Sequence, residues 1–300
     1  MKSIYNILIP LSFVGLWFTS MFSNEIEVFL GFILIFTFGI LHGSNDVLII
    51  NSTSNKNRIY SFIRVLATYL LTVLIAVVVF YFIPILALIL FVVFSAFHFG
   101  QQHWEHRNLE IQKHIKNIYY FLYGMVVLQL LFFFNTSEVI EVVYSITNYD
   151  IGNSIMIKSL IVFGIIFLSL ALYILNVSKT FKSSVLIELF YLLVFSIIFK
   201  VSTLIWGFTI YFILWHSIPS LYEQTSFIYG DFNKKNLLKY CKSAFPYWLI
   251  SIIGIVIVYF LFKDDTLFYA IFFSFIAAVT FPHTIVINKL FSNKKRNQFD

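Results

Sequence analysis

The sequence predicts an all-α protein, a polytopic bundle of membrane-spanning helices, and three observations lead there. Of its 300 residues 60% are hydrophobic and 11% charged, with a mean hydropathy of +0.90, more apolar material than the interior of a soluble domain can hold. The apolar residues fall in runs of about 17–24, enough to cross a ~30 Å hydrocarbon core at 1.5 Å per residue. The lysines and arginines gather in alternate short loops, the pattern of cytoplasmic connections.

About ten spans are predicted, over 4–22, 28–50, 61–83, 84–106, 117–134, 154–176, 184–200, 201–224, 243–262 and 266–289, in a single transmembrane domain covering 1–300. The first follows Lys2 but is long and lacks a small-x-small cleavage site, so it reads as a retained span rather than a signal peptide. Basic residues mark one side: Lys56 and Arg58; Arg107, Lys113 and Lys116; Lys179 and Lys182; Lys234, Lys235, Lys239 and Lys242; Lys294, Lys295 and Arg296. The other loops hold Glu25 and Glu27, then Pro84, then Glu138 to Asp150 without a basic residue, then Lys200, then Lys263 with Asp264 and Asp265; Lys158 is the exception. Both termini are then cytoplasmic, in a multi-pass membrane protein. The seventh and eighth spans form one apolar run that must be cut near Lys200, and moving that cut would reverse every later span. The net charge of +6 belongs to these loops and does not point to nucleic acid. The single Cys241 excludes disulfides within the chain and any multi-cysteine metal site.

Four histidines, His42, His98, His216 and His283, lie inside the second, fourth, eighth and tenth spans, all running from outside to inside. Each falls about 14–18 residues from the outer edge, roughly 21–27 Å along the axis, so they can share one layer. One histidine in a membrane helix can simply hydrogen-bond a neighbour. Four at matched depth make a candidate metal site, since neutral imidazole is the commonest nitrogen ligand.

Their neighbours add detail. In His42-Gly43-Ser44-Asn45-Asp46, a continuous helix would put Asp46 on the face of His42, placed to accept its proton, while Gly43 permits close approach. In Phe97-His98-Phe99-Gly100-Gln101-Gln102-His103-Trp104, Gln102 shares the face of His98, whereas His103 sits about 140° round unless Gly100 allows a bend. His106 and His114 approach the basic loop and are expected in water. Beyond Trp215-His216-Ser217-Ile218-Pro219-Ser220, Glu223 lies two turns from His216, and Pro219 invites a kink that would aim the ring inward. Pro282 precedes His283 in the same way.

Four histidines without thiolates suit a non-haem ferrous ion with positions open for dioxygen. They also suit bis-histidine haem, or zinc with three ligands and a water. A membrane carrier, using the histidines for proton relay or substrate binding, is a further alternative from another class. Desaturase-type histidine clusters are absent.

The blocks HGSND around His42, AFHFGQQHW around His98, WHSIPS around His216 and TFPHTIVINKLF around His283 resemble the motifs of the Brp/Blh family of membrane β-carotene 15,15'-dioxygenases, in order and over residues 42–291. The resemblance implies Fe(2+)-dependent cleavage of the central double bond of β-carotene by O2 into two all-trans-retinal molecules, which a rhodopsin-type protein can take up. It implies His42, His98 and His216 as iron ligands. Some members carry a second histidine four residues after the one matched by His216, and here that position is Ser220. The fourth ligand is then either His283, favoured on depth, with His103 as the fallback, or absent, and Asp46, Glu223 and Gln102 are expected behind the ligands. A carotenoid- or retinal-handling protein without metal catalysis is the alternative. An apolar, aromatic-lined route open sideways to lipid would suit such a substrate.

Overall fold

The computed structural model describes residues 2–46, 48–49, 58–107, 109–261, 275–277, 279–288 and 290–291. Every regular element among them is helical: α1 Lys2–Thr19, α2 Asn24–Leu34, α3 Arg58–Phe82, α4 Pro84–Trp104, α5 Lys113–Phe134, α6 Thr136–Thr147, α7 Ser154–Val177, α8 Lys179–Val201, α9 Leu204–Ile210, α10 Ile218–Tyr229, α11 Lys234–Leu261 and α12 Phe275–Asn288. Two π-helical segments interrupt them, Ile35–Gly39 after α2 and Tyr211–Ser217 between α9 and α10.

Among the described residues six helical stretches are long and apolar enough to cross a membrane: Pro84–Trp104, Lys113–Phe134, Ser154–Val177, Lys179–Val201, Leu204–Tyr229 and Lys234–Ile257. They match the expected fourth to ninth spans. Ile4–Thr19, Leu70–Phe82 and Phe275–Asn288 are shorter apolar helices at the first, third and tenth positions. The expected charges at Lys56, Lys263, Asp264, Asp265, Lys294, Lys295 and Arg296, and the Arg58 side chain, lie outside the described residues.

The chain forms two compact units. The first comprises Met1–Leu34, Val92–Tyr144 and Asn148–His216. Its core is aromatic, with Trp104, Tyr119, Tyr120, Tyr123, Phe181, Phe195 and Phe199 all fully buried. α4 and α5 cross with their backbones nearly touching: a Cβ on Gly100 would fall on the Tyr120 carbonyl, and one on Gly124 on the Ala96 carbonyl. Gly100 thus serves contact rather than bending, since α4 continues to Trp104.

The break near Lys200 is real, and side chains hold it. Thr203 caps α9, its hydroxyl accepting from the Trp206 N–H at 3.3 Å. Glu27 accepts from the Thr203 N–H and hydroxyl, both at 2.8 Å, and Glu138 from the Leu204 N–H at 3.0 Å. Two carboxylates so occupy the positive end of a helix, where its unsatisfied amides lie.

The second unit comprises Ile35–Phe91, Ser145–Thr147 and Ser217–Asp300. Ile49, Val286, Ile287, Leu290 and Phe291 make one buried cluster, with Phe227 and Ile228 against it. Trp248 of α11 donates to the carbonyl of Thr37 at 2.8 Å, inside the first π segment.

The expected second span is not one helix. After the π segment the backbone turns through residues 42–45, with Gly43 N–H to Ile40 O at 3.1 Å, Ser44 N–H to Leu41 O at 3.3 Å and Asp46 N–H to Gly43 O at 3.3 Å. These three-residue steps replace the four-residue ladder, so Asp46 does not stand one α-helical turn beyond His42.

Candidate metal centre

Each unit brings two of the four histidines together. In the first, His98 extends from the uninterrupted α4, and His216 from the π segment Tyr211–Ser217. Their ring centroids are 4.7 Å apart, at 76°. Phe99 meets His216 edge-on at 4.8 Å and Phe212 stacks on it at 5.4 Å. The wide turn has a local cause: Pro219 offers no N–H to the carbonyl ladder two residues on, and the helix widens before it.

In the second unit His42 and His283 meet edge-to-face, ring centroids 4.9 Å apart at 82°. His283 Nδ1 lies 2.8 and 3.0 Å from the two carboxylate oxygens of Asp46. Helical spacing leads to an expectation of Asp46 beside His42; the carboxylate lies against the His283 ring, and the turn at 42–45 breaks the regular register on which that expectation rests. Gly43 is packed beside the same ring, its Cβ position 3.6 Å from His283 Nδ1.

All four histidines are at most 5% exposed. In each unit the paired imidazoles offer neutral ring nitrogens of the kind that ligate metals. Asp46, Glu223 and Gln102 are buried as well, and the Gln102 amide, one turn beyond His98, has no hydrogen-bond partner among the described residues. Ser220 is buried on α10, its hydroxyl 2.9 Å from the Gln224 amide nitrogen.

His103 is engaged elsewhere in its own unit. Its Nε2 lies 2.6 Å from Glu188 of α8, which also pairs with Arg107, and Tyr123 stacks on its ring at 4.8 Å. Its position, well round α4 from His98, places it in this ion-pair network. His106 is half-buried and His114 exposed.

Two residues escape the sequence reading. Glu188 has a signal, a lone carboxylate in the middle of a span, which is costly without a partner. Tyr240 has none, since it sits among Lys234, Lys235, Lys239 and Lys242 and looks like part of a basic loop. In the structure it is buried, its hydroxyl 2.8 Å from the His42 carbonyl oxygen.

No curated protein and no solved structure matches the chain. A family model described as beta-carotene 15,15'-dioxygenase matches residues 33–291, a stretch that contains both histidine pairs, and the chain belongs to that family.

Proposed function

We propose that the chain cleaves the central 15,15' double bond of β-carotene with O2 into two molecules of retinal, at a ferrous ion held by His42, His98, His216 and His283. The observation that carries this reading is the pairing of histidines: ring contacts join His98 to His216 and His42 to His283, and all four rings are buried. Membership of the family supports the substrate.

The donors fit the ion. They are neutral nitrogens without a thiolate among them, the set that suits ferrous iron. Asp46 accepts from Nδ1 of His283, which fixes the tautomer with its lone pair on Nε2 and makes that nitrogen the better donor. Ferrous iron, when bound, supplies the redox chemistry that lets ground-state dioxygen react with a closed-shell alkene.

The remaining work falls to the chain. His42, His98, His216 and His283 hold the ion, and Asp46 fixes the His283 ring. Glu223 and Gln102 supply buried polar groups behind the ligands. Phe99 and Phe212, flanking His216, offer the flat apolar surfaces that suit a polyene. Their apolar surroundings exclude water, and an oriented double bond needs no side-chain acid or base. We place the protein in the inner membrane of a bacterium, with ten spans and both termini cytoplasmic, releasing retinal where a rhodopsin-type protein can bind it.

The test is expression in β-carotene-producing bacteria followed by pigment extraction. The orange colour should fade and retinal accumulate, and His42→Ala, His98→Ala, His216→Ala and His283→Ala should each abolish this, while His106→Ala and His114→Ala should not. Persistent carotene with no retinal in a well-expressed wild type would overturn the reading.

A further inference from the structure

In a continuous helix the Asp46 N–H would bond to the His42 carbonyl; here it bonds to the Gly43 carbonyl at 3.3 Å. A buried carbonyl such as that of His42 requires a donor. It finds one nearly two hundred residues away, in the Tyr240 hydroxyl of α11 at 2.8 Å.

That hydroxyl begins a buried chain. Tyr240 Oη lies 2.6 Å from Gln224 Oε1, and Gln224 Nε2 lies 2.9 Å from Ser220 Oγ. Ser220, Gln224 and Tyr240 are each at most 1% exposed. A phenol has one proton and cannot donate to both the His42 and Gln224 oxygens at once. With the Gln224 amide turned over, Ser220 donates to its oxygen, its NH2 donates to Tyr240, and Tyr240 donates to His42, so every contact carries a proton.

The same helix grips the turn a second time. Asn45, fully buried, donates from Nδ2 to the Tyr240 carbonyl at 3.0 Å, and the Ser243 hydroxyl lies 3.1 Å from Asn45 Oδ1. One residue of α11 thus touches both ends of the segment that carries His42.

We propose that Tyr240, backed by Gln224 and Ser220, is a positioning residue that fixes the His42 turn for metal binding. The inference rests on the reading of His42 as a ligand. It also gives Ser220 a role other than ligation, as the end of the chain that orients His42 through Tyr240. A hydrogen bond that orients a ligand from behind typically carries about 10–100-fold in metal affinity. Tyr240→Phe removes one oxygen and keeps the ring that packs.

The experiment is a Co(II) titration of purified full-length protein in detergent, followed by its visible absorption, with thermal unfolding measured in parallel. Wild type should develop ligand-field bands that His42→Ala loses. Tyr240→Phe should weaken Co(II) binding by about tenfold or more and alter those bands. Its metal-free form should still unfold in one cooperative transition, at a melting temperature modestly below that of the control Tyr222→Phe, as the loss of one buried hydrogen bond requires. Gln224→Leu should weaken binding in the same direction by a smaller factor, and it carries the test should Tyr240→Phe not fold. Cobalt binding by Tyr240→Phe equal to wild type, with His42→Ala defective, would overturn the positioning role alone. Undiminished binding by His42→Ala, or none by wild type, would overturn the ligand reading and this proposal with it.

Discussion

His103 and His283 differ in what stands behind them, and that difference is the ground for proposing different roles for them. His283 presents Nδ1 to both carboxylate oxygens of Asp46, an arrangement suited to a neutral ring that ligates through its other nitrogen. Glu188 beside His103 is shared with Arg107, so one buried carboxylate serves two side chains. His103→Ala should therefore lower stability, by about 1–3 kcal/mol for a buried carboxylate deprived of one partner, yet leave bound iron per chain unchanged. Asp46→Asn should do the opposite, reducing iron content at saturating protein and costing about 10-fold or more in metal affinity with little change in melting temperature. Metal analysis and thermal unfolding of the two variants separate these outcomes. At this scale the sequence is legible where spacing along a regular helix governs, as in the separation of His98 from His103. Asp46 is misread: Gly43, Ser44, Asn45 and Asp46 are all turn formers, yet the apolar runs on either side make the stretch read as a continuous helix.

Elements are positioned by a few contacts that tolerate little change. Gly100 and Gly124 let α4 and α5 approach backbone to backbone, so the axis bearing His98 is set by α5. Gly100→Ala must push the Tyr120 carbonyl aside, and a reduction in stability of at least about 1–3 kcal/mol is expected, visible as a lower melting temperature accompanied by weaker metal binding. At the start of α8, Ser178 accepts from the Phe181 N–H at 3.2 Å as the N-cap, and Glu110 accepts from the Ser178 hydroxyl at 2.9 Å and the Thr180 N–H at 3.3 Å. The Ser178 hydroxyl, then the Thr180 amide, hold the Glu110 carboxyl below its usual range. A depressed acid stabilises the fold at pH above its unfolded value and loses that contribution as pH falls through the folded one. Glu110→Gln should thus melt earlier than wild type near neutrality, and the gap should close in acid below both values. The cut near Lys200 is readable as a charge at the end of an apolar run, whereas the Glu27 and Glu138 carboxylates that secure it come from helices far away in sequence. The π segment before Pro219 is foreshadowed by the proline; that before His42 has no such sign.

For the whole molecule, the bilayer decides which irregularities are allowed. Non-helical backbone at membrane depth persists only where protein covers it, and the turn at 42–45 meets that condition: His42 and Asn45 are buried, and Tyr240 satisfies backbone that the helix has released. The outward faces are apolar in the way lipid requires, α7 most of all, with Ile161, Val162, Ile165, Leu168 and Leu172 each more than half exposed. The six long stretches from Pro84 to Ile257 are joined alternately by basic connections, at 105–112, 178 and 230–233 with their flanking lysines, and by connections at 135–153 and 202–203 bearing acidic or neutral residues. On the proposed topology, in which the three shorter or broken stretches and α12 each cross, both termini fall on the basic side. Alkaline phosphatase fused after residue 150 should therefore be active and a fusion at the C-terminus inactive, while a green fluorescent protein at the C-terminus should fluoresce. An active C-terminal phosphatase would mean that one of the later stretches does not cross. The broken second span is the sharper case: phosphatase fused at residue 23 should be active and at residue 56 inactive, and equal activity at both would show that the segment bearing His42 enters the membrane and returns to the same side.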